Sequence, residues 1–575
     1  MIGRGYTCRA ALLVLLAGFV PCAIAETAPA DQAAEYRAEV RKTILELQQF
    51  RTVESGEIRS ADGRAGRATL VNLNPRINGW YLLAVDWDGR GGQAAYHLEN
   101  PKPAEQVFHL SSAGLSASPG ADCDLWGGGP ALEDARRSAI AYAPLCGGRL
   151  YLRNRVPGHF SGMELTTDFL RKYVWGGDQV ISAVRETFYA DRFIERGMPG
   201  AAQPAAAAPG PSDAGPLPAA LGALDHSIVP GDVGIAVARP ARDLVQGQWY
   251  AASGASGIYL SFVQPKSVAP EILASDRDHV NPLDPVEAGA LSYLVAFDLA
   301  DFDVGFALGT DHPRVDWSDR PAAALRGGLP GPDGIGASTP LVTNGLLSPV
   351  LAARTAATFT GGFKREHGAF KYGDFSAVNH GSHYGFVEQG VVFSKLQPGL
   401  ATLYGLDDGT VGLKSWTAGD DALLPRLRFA RQNGVPLVEY DRTSGRAAAG
   451  ALVNRWGPGN WSGTAHEKLR SVRAGVCLQE TPSRRFLIYG YFSSATPSAM
   501  ARVFQAYRCR YAMHLDMNAL EHTYLAIFPQ GLPPQHLVQG MAQLEQKSGA
   551  GTALRFIGYP DNRDFFYLTR KETAR

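Results

Sequence analysis

FLIYGYFSSATPSAMARVFQAYRCRYAMHLDMNALEHTY, Phe486 to Tyr524, is the stretch whose reading decides the fold. RFLIYGYF is rich in aromatic and β-branched residues and reads as a strand. SATPSAMARVFQAYRC has the spacing of a helix, with Ser494 or Thr496 as its N-cap. RYAMHL then reads as a second strand that ends on Asp516. Asn518, Glu521 and His522 follow within a few residues. Two readings of this end stay open. Either a strand delivers an acid to a site, or Asp516 caps the next turn with ordinary polar decoration after it.

Working outward, β signals dominate from about Gln246: GIYLSFVQP, SYLVAFDL, AATFTGGF, YGFVEQGVVF, LATLYGL, VPLVEYD and RAGVCLQ are candidate strands. Helices are few, with a second one expected in PQHLVQGMAQLEQKSG. The expectation for 245–572 is an α+β domain with a large mixed sheet and a few covering helices. Upstream, GMPGAAQPAAAAPGPSDAGPLPAALGA, dense in Pro, Ala and Gly, predicts a linker over 196–244. Residues 33–195 read as a smaller α+β domain. It opens on an amphipathic helix over 33–50, continues through the short strands ATLVNLNP, GWYLLAVDW, QVFHL and LCGGRLYLRN, and closes on a helix beginning at Asp178.

The first 25 residues carry a basic start, a short apolar core and an Ala23-Ile24-Ala25 cleavage pattern. This predicts a secretory signal and a periplasmic or secreted protein, with no integral membrane segment after cleavage. Cys123, Cys146, Cys477 and Cys509 remain beyond it. Four cysteines allow three connectivities. Closeness in sequence favours Cys123–Cys146 and Cys477–Cys509. No CxxC or HxxxH supports a zinc site. Lys+Arg and Asp+Glu are both 55, so no global field draws the chain to nucleic acid, and no nucleic-acid partner is expected.

Ordered motifs over roughly 245–570 resemble the phosphodiester glycosidase family. YLVAFDL (Tyr293 to Leu299) resembles its early strand ending in an acid. FTGGFKREHGAFKYG (Phe359 to Gly373) resembles its Asn-Gly-Gly-Phe-Phe element, with Thr360 in place of Asn and Lys364 in place of the second Phe. LATLYGLDDGTVGL resembles its hairpin. RSVRAGV (Arg470 to Val476) resembles its Arg-then-strand element. The opening stretch resembles its closing unit, which in the family ends in Leu-Asp-Gly-Gly-Gly-Ser. Here Met517, Asn518 and Ala519 follow the acid. The resemblance implies hydrolysis of a glycosyl phosphodiester, a carbohydrate partner, and no organic cofactor. A divalent ion such as Ca²⁺ stays open.

Such chemistry needs a carboxylate beside an oxocarbenium-like carbon and cationic or backbone donors for the phosphate. Asp516 is the first carboxylate expected, with Glu521 and His522 as a second acid or base. Arg470 is the expected phosphate ligand. Gly361, Gly362, Lys364 and Arg365 form an expected anion cradle. Trp461, in NRWGPGNWSG, is an expected stacking platform for a sugar ring. Asp311, His312 and Trp317 suit a sugar rim or, equally, a structural loop. His380 and His383, with Asp374 or His367, offer a weak metal pattern. Two non-enzymatic readings stand beside hydrolysis: a glycan-binding protein that kept the fold and lost the chemistry, and an envelope scaffold in which 33–195 does the binding.

Overall fold

The structure, a computed structural model, describes residues 43–87, 94–161, 215–223, 227–228, 231–238, 244–313, 335–364, 384–441, 443, 445–455, 469–549 and 551–572. Its centre is an eight-stranded antiparallel sheet. The order is Tyr250–Ala251, Ile258–Val263, Ser292–Asp298, Arg485–Ala495, Ser471–Glu480, Tyr511–Met517, Pro436–Asp441 and Arg446–Ala449. Both faces of this sheet are covered, which explains why its strands read as continuous apolar runs rather than alternating ones. Along Arg485–Ala495, Leu487, Tyr489 and Tyr491 point to one core. Phe486, Ile488 and Phe492 point to the other.

The first core is closed by two five-stranded antiparallel sheets. One runs Phe302–Ala307, Phe565–Arg570, Thr355–Thr360, Leu525–Ile527, Gln535–His536. The other runs Val391–Ser394, Phe386–Glu388, Leu427–Gln432, Ala401–Leu406, Val411–Ser415. The second core lies under the helix Pro497–Ala506, whose N-cap Thr496 accepts from the Ala499 N–H at 3.2 Å. This helix joins two strands that both pair with Ser471–Glu480, and so run parallel to each other on either side of it. The Cys477–Cys509 disulfide ties that middle strand to the turn that follows the helix.

The α+β expectation is overturned. Strands in antiparallel sheets make up the architecture, and the described α-helices are short, the longest being the ten-residue Pro497–Ala506. The fold is essentially all-β. Within the PQHLVQGMAQLEQKSG stretch, Gln535–His536 and Gln546–Ser548 are strands around a 3₁₀ turn, Gln539–Leu544. Leu537, Val538, Met541 and Leu544 have helical spacing, but Gln535–His536 pairs with Ala526–Ile527, and His536 Nε2 bonds Glu545 at 2.6 Å. Tertiary pairing outweighs local spacing here. Of the helix expected over 33–50, the described part is a single 3₁₀ turn, Ile44–Leu47. The helix expected from Asp178 lies outside the described residues.

The N-terminal module is also β: a six-stranded antiparallel sheet (52–153), a three-stranded one (107–124) and one short helix, Ala131–Arg137, around its own core. Cys123–Cys146 staples it. It also packs apolar side chains, Ile44, Leu47, Val71, Leu73, Trp80 and Leu82, into the first core of the body, with Trp80 edge-on to Phe393, and buried polar contacts add to this. Gln48 exchanges hydrogen bonds with the Val392 backbone (2.7 and 2.9 Å), and Tyr142 donates to Leu346 O at 2.8 Å. Of the expected linker, residues 215–223 lie against the body, with Ala220 N–H donating to Ala506 O at 2.8 Å.

Gly345 fixes where the last site-bearing segment sits. It has φ 57°, and a Cβ there would lie 1.8 Å from Asp561 O. Gly345→Ala therefore combines a left-handed strain with a backbone clash. It is expected to lower stability by about 2 kcal/mol or more, read as a drop in the denaturant midpoint.

Candidate functional site

Asp516 stands at the end of the strand Tyr511–Met517. The strand does not reach that end regularly. Arg473 pairs with Met517 and Gly475 with His514, so Leu515 and Asp516 together oppose Ala474. This is a β-bulge, a device that re-aims a side chain near a strand end. The neighbouring pair is bulged at the same level, between Ser471 and Arg473.

Asp516 is 4% exposed. One carboxylate oxygen accepts from its neighbour Met517 N–H at 2.8 Å, and the other from Arg563 Nη1. The same guanidinium meets His522 Nε2 through Nη2 at 2.8 Å. Arginine only donates, so His522 Nε2 is the acceptor and its Nδ1–H donates to Met517 O at 2.7 Å. His522 is thus held as the neutral Nδ1–H tautomer. Burial raises the Asp516 carboxyl, Arg563 and the Met517 amide partly offset this, Asp564 adds to the rise, and the group settles at about 6.

Arg563 belongs to Asp561–Asp564, four residues that are all buried. Asp561 takes Arg555 in a two-point pair at 2.7 and 3.1 Å. Arg555 in turn donates to Glu521 O at 2.7 Å. Asp564 accepts from Arg431 Nε at 2.7 Å and faces His312 Nδ1 at 3.4 Å. Burial alone would raise Asp564, but Arg431 and His312 outweigh it and hold the carboxyl at about 2. Asn433 closes the network: its Nδ2 donates to His514 O and Leu515 O, both at 2.6 Å, and its Oδ1 accepts from Phe363 N–H at 3.2 Å.

Six expected residues come together here. Asp516 is central, and Glu521 and His522 form its less buried side, with 12% and 16% side-chain exposure. Glu521 also accepts from Ser161 Oγ at 3.1 Å, at the end of the described N-terminal module. Gly361, Gly362 and Lys364 adjoin the network. The Gly361 N–H is spent on Asp564 O at 2.8 Å, and Gly362 packs against Asn433 and Arg431. Lys364 Nζ pairs with Asp311 at 3.1 Å. This glycine pair therefore serves close packing against the buried ions, with Gly361 donating inward.

Arg470 is placed elsewhere: it pairs with Asp284, the N-cap of the helix Pro285–Gly289, at 2.8 Å, and is one-third exposed. The buried arginine of RSVRAGV is Arg473, which meets His514 Nε2 and Met517 Sδ, each at 3.1 Å. Asp298, the acid ending YLVAFDL, pairs with Phe486 at the opposite end of the sheet and bonds Arg484. Arg365, Trp461, Trp317, His367, Asp374, His380 and His383 lie outside the described residues. Among the described residues no group of three or more His, Cys, Asp or Glu is placed to hold a metal ion.

Arg431, Asn433, Arg555, Asp561, Arg563 and Asp564 were missed in the sequence. The one signal is DNRD, four polar residues set between Pro560 and the apolar strand FFYL.

No family model matches the chain, and no curated protein matches it in sequence. Among solved structures, one from Burkholderia pseudomallei described as a candidate exported protein is 11% identical over 48% of this chain and 74% of that one, with a TM-score of 0.18. No helix among the described residues is long and apolar enough to cross a membrane.

The Asp516 environment makes a pH-dependent prediction. Its folded-state pKa, about 6, lies above the ordinary 3.8, so the folded state holds the proton more tightly. That contribution is full below the unfolded pKa and is lost as pH rises through the folded one. Asp516→Asn removes the dependence. Its stability relative to wild type should rise between pH 4 and 6, by at most about 3 kcal/mol, in urea unfolding at stepped pH.

Proposed function

We propose that the chain is an exported hydrolase of glycosyl phosphodiesters, with Asp516 as the carboxylate that meets the anomeric carbon. The observation that carries this is the state of Asp516. It is a buried acid on a bulged strand end, held at about 6, bonded to an arginine that also bonds a histidine. A carboxyl near 6 is poised to work as nucleophile or base at neutral pH, and a phosphate leaving group asks for little acid assistance. Glu521 and His522, on the less buried side, are the groups a substrate would reach first. The two disulfides suit an oxidising compartment, and the proposed location is the periplasm or the exterior.

One observation favours a second reading. Both oxygens of Asp516 are engaged and the residue is 4% exposed, as in an ionic brace. A chain of this kind would bind an envelope glycan without cleaving it.

Free-sugar release from a panel of glycosyl phosphodiesters, with and without a divalent ion, separates the two. Under the first reading, release vanishes in Asp516→Asn while the chain stays folded. Its rate rises with pH through about 6 as the carboxyl ionises. Arg563 lowers that pKa, so Arg563→Gln should move the limb to higher pH. Glycan binding with no release by wild type selects the second reading.

A further inference from the structure

At the end of the central sheet away from Asp516 lies a groove of about 610 Å³. The hairpin of Pro436–Asp441 and Arg446–Ala449 forms one wall, and the C-terminal end of the helix Pro497–Ala506 the other. The strand that follows runs from Arg510, at the groove, to Asp516. At roughly 3.3 Å per residue that separates the two places by about 20 Å. Nothing in the Asp516 network reaches the groove.

Three guanidiniums line it. Arg446 is anchored by Asp276 at 2.9 Å, and Arg510 by Glu480 at 2.5 Å, with Arg510 lying 4.4 Å over the Tyr440 ring. Both side chains are about half exposed. One carboxylate does not consume the five N–H donors of an arginine. The third, Arg508, has no ion-pair partner among the described residues and is exposed. Glu271, also exposed, is the one unpaired carboxylate on the rim among the described residues.

Arg508 occupies a position made for glycine. The helix ends with Cys509 N–H donating to Phe504 O at 3.1 Å and Arg508 N–H to Gln505 O at 2.9 Å, and Arg508 has φ 57°. A side chain there is strained relative to glycine. A cation near a helix C-terminus recovers some of that, but it could do so from the last turn without the strain. Gln505 supplies a separate observation. It is 8% exposed, and its Nε2 donates to Asp276 at 2.7 Å, which fixes the amide orientation. Gln505 is among the residues lining the groove, and its Oε1 is buried without a hydrogen-bond donor. Such an acceptor is costly until something donates to it.

We infer that the groove is a binding site for an anionic saccharide, a sugar carrying a phosphate or a carboxylate. The anion sits on Arg508 between Arg446 and Arg510. The exposed Tyr440 forms an aromatic wall for the sugar ring. Glu271 accepts a ring hydroxyl and repels a second anionic group. This inference stands apart from the hydrolase reading.

Calorimetry on the full mature chain with glucose 1-phosphate, glucuronate and glucose tests it, with hydrogen exchange to locate the ligand. At least one anionic sugar should bind and glucose should not; which anion binds identifies the source. Arg508→Gly should weaken binding about tenfold or more, with Tm unchanged or higher because glycine relieves the strain. Protection should fall on 440–449 and 505–511, and Asp516→Asn should bind as wild type does. The inference is overturned if neither anion binds, if glucose binds equally, or if Arg508→Gly changes nothing. Loss in Asp516→Asn alone, with protection on 514–522, would move the anion to the Asp516 network. That result would overturn the groove and leave the hydrolase reading standing.

Discussion

Asp561, Asn562, Arg563 and Asp564 take three formal charges and an amide out of water in four consecutive residues, none more than 2% exposed. An ionised group buried without a partner costs several kcal/mol, so each of these demands one. One partner is close in sequence and the others are distant. Asp561 draws in Arg555, Arg563 draws in Asp516, and Asp564 draws in Arg431 and His312. Asp516 belongs to the central sheet, Arg431 to one five-stranded sheet, and the segment itself leads into a strand of the other. The network therefore sits where all three sheets meet, and satisfying its charges requires their mutual arrangement.

Stability and chemistry are coupled by this placement. The interactions that set Asp516 near 6 also join the sheets: burial, Arg563, the Met517 amide and the nearby Asp564. Removing one member of a buried pair leaves the other charged and unpaired, which costs about 3–5 kcal/mol. A carboxyl escapes part of that cost by taking a proton, and an arginine does not. Replacing Arg563, which leaves Asp516 able to take a proton, is consequently milder than deleting Asp516, and Asp516→Asn keeps an amide oxygen for Arg563 to donate to. Variants at Arg431 or Arg555 report first on assembly of the sheets.

The strands were legible because the central sheet is buried on both faces, which writes them as unbroken apolar runs such as SYLVAFD and RFLIYGYF. The helix Pro497–Ala506 was legible from its period and its Thr496 cap. The fold class was not, since the pattern at Leu537, Val538, Met541 and Leu544 is helical on paper and only the pairing with Ala526–Ile527 decides otherwise. Asp516 was legible as an acid closing an apolar run, and Glu521 and His522 as its near neighbours. Arg431 was not. It lies inside the strand LRFARQ, and its partner Asp564 is 133 residues away. Arg470 and Arg473 look alike in RSVR. The strand register and its bulges bury the second and leave the first on Asp284.

The residues after Asp516 separate two properties that glycine combines. Glycine grants a left-handed backbone and leaves room beside it. Asn518 has φ 86°, so the backbone at that point takes a path open to glycine and tolerated by asparagine, with Ser471 Oγ donating to its side chain at 2.8 Å. Met517 does the opposite. Its side chain is buried, with Sδ 3.1 Å from Arg473 Nη1, filling space that a glycine would leave open. The turn after Asp516 thus takes a left-handed conformation at Asn518, and Met517 fills the space beside it. Met517 closes one flank of Asp516, and the partly exposed Glu521 and His522 form the other. A ligand that reaches this acid must meet those two side chains, and what they recognise decides its identity more than the fold does.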